Sequence, residues 1–181
     1  MAMLSGPEIA RQVRLGGVVI DPFDPARCGP NSYDALLAAD YRVYVGGRVL
    51  DVAADNPTEL FRMPATGLLL EPGQLYLAST AEMIGSKSFV SCVDGKSSLG
   101  RLGLTVHVTA GFIDCGFFGN VTLELAVVKP LRVYPGMRVC QFCFFTVQGA
   151  ASLYAGKYQG QRGPQPSRSW QDFQTPAAGA S

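Results

Sequence analysis

Hydrophobic residues alternate with other residue types over positions 121–128, and this pattern limits what the segment can form. Successive side chains of an extended strand point to opposite faces, so Val121, Leu123, Leu125 and Val127 share one face and Glu124 lies in the middle of the other. Similar short segments rich in Val, Leu, Phe and Tyr, bounded by turn-forming residues, occur at 18–20, 41–45, 67–70, 75–79, 104–109 and 139–147. Regular helical crossovers do not separate these segments, so we expect a mainly β chain that folds as a sandwich or barrel.

The N-terminal segment is the exception, because its pattern predicts a short helix. Ser5 followed three residues later by Glu8 forms a capping-box pattern. Pro7 is tolerated in a first helical turn, and the glycines that begin at Gly16 end the run.

The length of the chain favours one domain. At 181 residues and 48% hydrophobic composition, the chain can build one core, and we expect residues 1–155 to form it together with the helix. Residues 51–64 are interpreted as a surface excursion. Residues 156–181 are interpreted as a C-terminal tail, because positions 156–169 contain almost no apolar side chains.

Charge and hydropathy exclude several classes of partner. The formal net charge is only +1 and no basic block occurs, so we expect no binding to a nucleic-acid polymer or to an anionic membrane. A membrane-spanning run of about 18 apolar residues is missing, and the N-terminus lacks a signal-peptide pattern, so we expect a cytoplasmic protein. The cysteine pattern predicts reduced thiols rather than a disulfide framework, and the cysteines are Cys28, Cys92, Cys115, Cys140 and Cys143.

The segment 94–124 brings together the groups that a nucleotide site needs. Donors for phosphate oxygens are Lys96, Ser97, Ser98 and Arg101. Gly95, Gly100 and Gly103, within or beside this run, allow the backbone to come close to a ligand. Asp114 and Glu124 add carboxylates. A P-loop is a poor match, because the full G-x-x-x-x-G-K-[ST] spacing fails and no helix-forming run follows. Ser97 is also a poor candidate for a covalent nucleophile, since the sequence identifies no base beside it.

Glu124 is open to two interpretations. A carboxylate on a half-exposed strand most often faces solvent. Alternatively, Glu124 lines a pocket and both takes and gives a proton. Cytosine deamination needs such a group, because water loses a proton as it attacks C4 while the ring nitrogen and the leaving amine gain protons.

The zinc-dependent way of activating that water does not fit this sequence. Zinc deaminases carry an H-x-E signature and a P-C-x-x-C signature, and neither is present. His107 is the only histidine, and strand alternation points Cys140 and Cys143 to opposite faces. We therefore expect no zinc site. His107 is interpreted as a hydrogen-bonded structural histidine, with a role as a base the less favoured alternative.

An ordered series of motifs resembles the dCTP deaminase family, a branch of the dUTPase superfamily. The matching segments are GPNSYD at 29–34, LEPG at 70–73, the whole of 94–124, YPGM at 134–137 and KYQGQR at 157–162. The resemblance implies a distorted β-barrel or jelly-roll of the dUTPase-like type with a short N-terminal helix. It also implies a homotrimer with active sites at the subunit interfaces and Mg²⁺ bound through the substrate phosphates.

The resemblance also assigns roles to individual residues. Glu124 would be the proton donor and acceptor, and the attacking water would lie near Ser97, Arg101 and the backbone of Ala110. Asp114 would meet the deoxyribose 3′-hydroxyl. The resemblance also implies further nucleotide-binding positions: Lys96, Ser98, Leu99 and Gly100 at the phosphates, Thr122 and Leu123 beside the base, and Gln141, Tyr154, Lys157 and Gln161. Lys157 and Gln161 belong to a tail that would close over the nucleotide.

Two positions depart from the pattern of many relatives, and the reaction product stays open. Cys115 stands where many relatives have proline, and Lys96 stands where many have arginine. Lysine keeps the positive charge but cannot donate the two parallel hydrogen bonds of a guanidinium group. Relatives that combine deamination with triphosphate cleavage give dUMP, ammonia and pyrophosphate, and we expect this reaction. The alternatives are a deaminase that releases dUTP, a dUTPase without deaminase activity, and an inert nucleotide-binding regulator.

Overall fold

The computed structural model describes residues 2–46 and 49–174. Three α-helices in this part of the chain are α1 (Gly6–Leu15), α2 (Ser97–Gly100) and α3 (Gln171–Gln174), and a 3-10 helix covers Pro25–Arg27. The strands are β1 (Val19–Asp21), β2 (Tyr33–Leu36), β3 (Asp40–Tyr44), β4 (Thr58–Arg62), β5 (Leu68–Leu70), β6 (Tyr76–Gly85), β7 (Phe89–Gly95), β8 (Leu104–Thr105), β9 (Phe112–Ile113), β10 (Phe118–Val127), β11 (Leu131–Val133) and β12 (Arg138–Thr146). No helix within the described ranges is long and apolar enough to cross a membrane.

Helix α1 has the boundaries that its sequence predicts. The Ser5 side chain accepts a hydrogen bond from the backbone N–H of Glu8, which satisfies a donor that the first helical turn leaves free. Gly16 ends the helix in the left-handed region at φ 75°, where a residue without Cβ is favoured. The helix then packs its fully buried Ile9 into the core.

Two sheets supply the body of the fold. The larger has the strand order β4-β3-β6-β10-β8, with β1 also paired to β6, and the second has the order β2-β12-β7-β9. A separate pair joins β11 to β5. Side chains of both sheets, such as Leu123 and Leu125 from β10 and Phe142 and Phe144 from β12, meet in one hydrophobic core. The mainly β class is confirmed, and the described strands form open sheets rather than one closed barrel.

Strand β10 fixes the direction in which the functional side chains point. Buried and partly exposed residues alternate along its whole length, as the sequence predicts. Leu123 and Leu125 are fully buried in the core, whereas Thr122 and Glu124 lie on the opposite face. Because β10 is paired with β6 on one side and β8 on the other, this polar face is part of a continuous sheet surface.

Several sequence-based boundaries were wrong. The interval 51–64 is not only a surface excursion, because β4 lies within it as an edge strand. Four of the five β4 side chains are exposed, so hydrophobic alternation could not reveal it. The interval 104–109 is strand only at β8, and the rest turns away from the sheet. The strands that the sequence analysis did not predict are β2, β4, β7, β9 and β11.

The described part of the tail folds back onto the body of the protein. Pro164 is buried, and the segment around it is mostly half-buried although it carries few apolar side chains. The backbone N–H of Asn120 in β10 donates to the carbonyl of Gln161, at 3.1 Å. The division at residue 155 stays a prediction.

Candidate active site

A cleft of about 530 Å³ lies on the polar face of the large sheet. Its floor includes Leu77 of β6 and Glu124 of β10, which are direct partners in the strand register. Six of the residues that the resemblance assigns to the nucleotide line this cleft: Ala110, Asp114, Thr122, Glu124, Tyr154 and Gln161. The structure thus favours the pocket-lining interpretation of Glu124 over a carboxylate that simply faces bulk solvent.

Glu124 has two partners inside the cleft. Its Oε2 lies 2.6 Å from Nδ1 of His107 and accepts a hydrogen bond from the backbone N–H of Val108 at 3.2 Å. The His107 side chain is 13% exposed and that of Glu124 26% exposed, so the pair is shielded but open to a ligand. The carboxylate therefore has a fixed orientation and keeps its second oxygen available for proton transfer.

His107 has an altered affinity for protons because of this pairing. Burial by itself lowers the pKa of His107, but the hydrogen bond and the negative charge of Glu124, with the backbone of Ala110, outweigh burial and raise it above the usual 6.5. From the sequence, His107 is interpreted as a structural histidine rather than a base, and its contact with Glu124 is not anticipated. Its place in the segment 94–124, already identified as the nucleotide site, was the available signal that it lies near Glu124.

The segment after His107 forms a wall on this side of the cleft. Ala110 has φ 59°, which an L-residue with a Cβ adopts at a cost. Such backbone strain persists where the surrounding structure imposes it, and it occurs often at functional sites. The predicted role of the Ala110 backbone beside the attacking water is consistent with this position.

A second hollow of about 550 Å³ lies on the other side of that wall. Val93, His107, Thr109 and Ala110 line both spaces. The predicted phosphate residues Lys96, Ser97 and Gly100, together with Gln141, line only the second hollow. Glu124 and the predicted phosphate-binding residues therefore line neighbouring spaces that share four lining residues.

The remaining predicted site residues line neither space. Ser98 and Arg101 are exposed on and just after α2, and Leu99 packs its side chain against the core. Leu123 is fully buried, so only its backbone is available to flank a base. Lys157 of the tail forms an ion pair with Asp172.

The start of the phosphate segment is held by residues of β2 and the loop before it. Nζ of Lys96 lies 2.5 Å from Oδ1 of Asp34, which partly neutralises the lysine charge. The Gln141 side chain accepts from Ser32 Oγ at 3.0 Å and donates to the carbonyl of Gly95 at 3.0 Å. Ser32 and Asp34 belong to the matching segment 29–34, to which the sequence analysis assigned no role.

Asp114 lies at the start of a tight turn. The backbone N–H of Phe117 donates to the Asp114 carbonyl at 3.3 Å, and Gly116 has φ 90°, which is typical of a type II turn. The turn is closed although Cys115 replaces the proline of many relatives. The Phe117 and Tyr154 rings, which both line the cleft, pack edge to face with centroids 5.9 Å apart.

The described residues do not build a metal centre of their own. Within 2–46 and 49–174, no three His, Cys, Asp or Glu side chains are grouped so that they could hold a metal ion. The five cysteines are unpaired thiols. A metal bound through a triphosphate would need no such group of protein ligands.

Known proteins resemble this chain over most of its length. A family model described as dCTP deaminase-like matches residues 3–147. A Clostridium beijerinckii protein named "dCTP deaminase, dUMP-forming" is 44% identical over 173 residues, covering 95% of this chain and 99% of the relative. A Leptospira biflexa protein of the same name is 46% identical over 174 residues, covering 95% of this chain and 98% of the relative.

A solved structure shares the fold. The crystal structure of 2′-deoxycytidine 5′-triphosphate deaminase from Agrobacterium tumefaciens superimposes with a TM-score of 0.62 at 19% sequence identity. The alignment covers 78% of this chain and 47% of that one, so the chain spans about half the length of the solved chain.

Proposed function

This chain belongs to the dCTP deaminase-like family, and we propose that it deaminates dCTP at C4 and forms dUMP. The observation that carries the proposal is the Glu124 carboxylate, held by the Val108 N–H and by its contact with His107 in a cleft that also holds Asp114 and Tyr154. The relatives named "dCTP deaminase, dUMP-forming" match over almost their whole length, which supports the same product here.

Deamination requires one group that moves protons between water, ring and leaving amine. Water attacks C4 of the cytosine, and Glu124 accepts its proton. The carboxyl group passes this proton to the ring nitrogen, then takes the second proton from the new C4 hydroxyl and passes it to the amine, which leaves as ammonia as the C4 carbonyl forms. In total, dCTP and water give dUTP and ammonia. Val108 and His107 hold one carboxylate oxygen, which leaves the other to exchange the proton.

Formation of dUMP requires a second hydrolysis. A further water attacks the α phosphorus and releases pyrophosphate, so dCTP and two waters give dUMP, ammonia and pyrophosphate in total. Mg²⁺ bound to the phosphates would neutralise charge in this step. Lys96, Ser97 and Gly100 would bind the phosphates from the second hollow.

The separation of the two hollows supports a site shared between copies of the chain. Glu124 lines one space, and Lys96 and Ser97 line only the other, so a nucleotide bound by both sets within a single chain would have to span both spaces. Apolar side chains next to the wall are exposed, with Val108 at 57% and Phe112 at 58%, and a second copy would bury them. We expect a homotrimer, and we expect it in the cytoplasm.

Product analysis tests the proposal directly. Purified protein is incubated with dCTP and Mg²⁺, the nucleotides are resolved by chromatography, and ammonia and pyrophosphate are measured. The proposed reaction gives equal amounts of dUMP, ammonia and pyrophosphate. Release of dUTP and ammonia without pyrophosphate would identify a deaminase that lacks the second step. Release of pyrophosphate from dUTP, with no ammonia from dCTP, would identify a dUTPase. The absence of any product would identify an inert binder.

A further inference from the structure

Strand β3 contributes to the same sheet face as Glu124. In the strand register Arg42 is paired with Leu77, and Leu77 is paired with Glu124, so the three residues form a row across β3, β6 and β10. Residues directly opposite each other in a sheet share a face, and so do residues two apart on a strand. Arg42 and Tyr44 therefore both point to the side of the sheet where the cleft lies.

Both side chains hold the tail segment 164–167, which we call the tail strap. Nε of Arg42 donates to the carbonyl of Pro164 at 3.0 Å, and the Tyr44 hydroxyl accepts from the backbone N–H of Ser167 at 3.1 Å. Between these two points, the backbone N–H of Gln165 donates to Oγ1 of Thr122 at 3.1 Å. The strap is thus attached to both β3 and β10.

The position of the strap matters because it forms part of the cleft. Gln165, Pro166 and Ser167 line the same space as Glu124, and so does Tyr44. The strap contains the buried Pro164 and the half-buried Pro166, and its other two residues are polar. A segment with few apolar contacts opens easily, so its hydrogen bonds decide how often it lies over the cleft.

Arg42 is itself well fixed for this purpose. Its Nη1 donates to Oγ1 of Thr58 in the neighbouring strand β4 at 3.2 Å, which leaves Nε directed at the Pro164 carbonyl. A hydrogen bond from a charged donor is stronger than one between neutral groups. Tyr44 needs no charge, because its hydroxyl only accepts the Ser167 N–H.

We propose that Arg42 and Tyr44 are positioning residues that hold the tail strap over the nucleotide cleft and so strengthen the binding of dCTP. The inference rests on the proposed function for the identity of the nucleotide. The placement of the strap rests only on the contacts of β3 and β10. Neither residue needs to touch the reacting atoms, since each acts through the backbone of the strap.

Three variants test the proposal. Tyr44→Phe removes only the hydroxyl and keeps the ring in the cleft wall. Arg42→Leu removes the Nε donor to the strap, together with the Nη1 donor to Thr58. The matched control is Arg62→Leu, the same chemical change in the next strand. Arg62 is 75% exposed and pairs with Asp40 of β3 rather than with the strap.

Opening of the strap is measured by limited trypsin digestion, with cleavage after Arg162 and Arg168 followed by mass spectrometry. Loss of one hydrogen bond is expected to speed cleavage in Tyr44→Phe and in Arg42→Leu by roughly three- to tenfold. Arg62→Leu should match the wild type, and saturating dCTP should slow cleavage in all four proteins. Equal cleavage rates in the wild type and both strap variants would overturn the proposal.

Steady-state kinetics separates positioning from a general structural role. The KM for dCTP should rise by about three- to tenfold in both strap variants. At saturating dCTP, kcat should change less than about twofold, because bound nucleotide favours reclosure. An unchanged KM in an active enzyme would contradict the proposal. If the wild type releases no ammonia from dCTP, the proposed function fails, and the digestion rates still decide whether Arg42 and Tyr44 hold the strap.

Discussion

The Nδ1 atom of His107 lies 2.6 Å from Oε2 of Glu124, so the only histidine of the chain contacts the carboxylate proposed to carry the chemistry. The two residues are on different elements: Glu124 is in the middle of β10, and His107 follows the short strand β8. The contact fixes the carboxylate and makes the charge of the pair depend on pH. Both consequences are open to measurement.

Replacing Glu124 with glutamine removes the proton acceptor and donor but keeps the side-chain shape. An amide oxygen can still accept the Val108 N–H, so the fold should be preserved. We expect ammonia release from dCTP to fall by at least about a hundredfold, the usual effect of losing a general acid and base. A coupled ammonia assay measures the rate and thermal unfolding serves as the control. Near-normal turnover in a folded Glu124→Gln protein would exclude Glu124 from this role.

The His107 pair should make stability depend on pH. The pKa of His107 is raised in the folded protein, so protonated His107 contributes stability that is fully present below its usual pKa of 6.5. That contribution is lost as the pH rises through the higher folded pKa. We expect His107→Gln to destabilise the protein most near pH 6 and progressively less toward pH 9, in urea unfolding at each pH. In a Glu124→Gln background, the destabilisation caused by His107→Gln should no longer depend on pH. If that destabilisation is already independent of pH with Glu124 present, the pair carries no charge.

Mixing two inactive variants tests whether the site is shared between copies. Arg101 lies just after α2 on the exposed surface, and Glu124 lies in the cleft. If one site takes these residues from two chains, refolding Arg101→Ala together with Glu124→Gln in equal amounts restores about a quarter of the wild-type activity in a random homotrimer. Each variant refolded alone is the control. No recovery in a mixed oligomer, with the oligomer verified by light scattering, would indicate that each site uses a single chain.

We expect the reaction to require Mg²⁺ because the metal binds the substrate triphosphate, and not because the protein holds a metal centre. Treatment with EDTA is expected to abolish formation of dUMP, and added Mg²⁺ should restore it, because magnesium binds through phosphate oxygens. A zinc-selective chelator should leave the rate of ammonia release unchanged once Mg²⁺ is present. A rate that tracks zinc content, measured by atomic absorption, would overturn this expectation.

The turn after Asp114 offers a stabilising substitution. Cys115 occupies the second position of a type II turn, where proline is favoured, and Gly116 follows at φ 90°. We expect Cys115→Pro to raise the free energy of unfolding by about 0.5–1 kcal/mol, since it restricts the unfolded chain. The control is Gly116→Ala, which should destabilise the protein because the added Cβ would lie 2.8 Å from the Tyr154 backbone nitrogen. A lower melting temperature for Cys115→Pro would mean that the turn does not accept the proline ring.

Local patterns in the sequence determined the parts of the structure that depend on near neighbours. The capping box at Ser5 and the glycine at position 16 bound α1, because caps act within one helical turn. Alternation along β10 put Glu124 on the polar face, since strand periodicity depends only on the chain itself. The strand β4 escaped prediction because an exposed edge strand carries no such alternation.

Only the tertiary structure decided which distant residues meet at the site. The row Arg42, Leu77 and Glu124 depends on the register of three strands, and neither Arg42 nor Tyr44 carries a motif that marks it. The tail contacts β3 across 122 and 123 positions, at Pro164 and Ser167. The wall at Ala110 likewise separates residues that the sequence places in one segment. Composition and periodicity describe how a side chain is oriented on its own element, whereas the packing of elements fixes what that side chain faces.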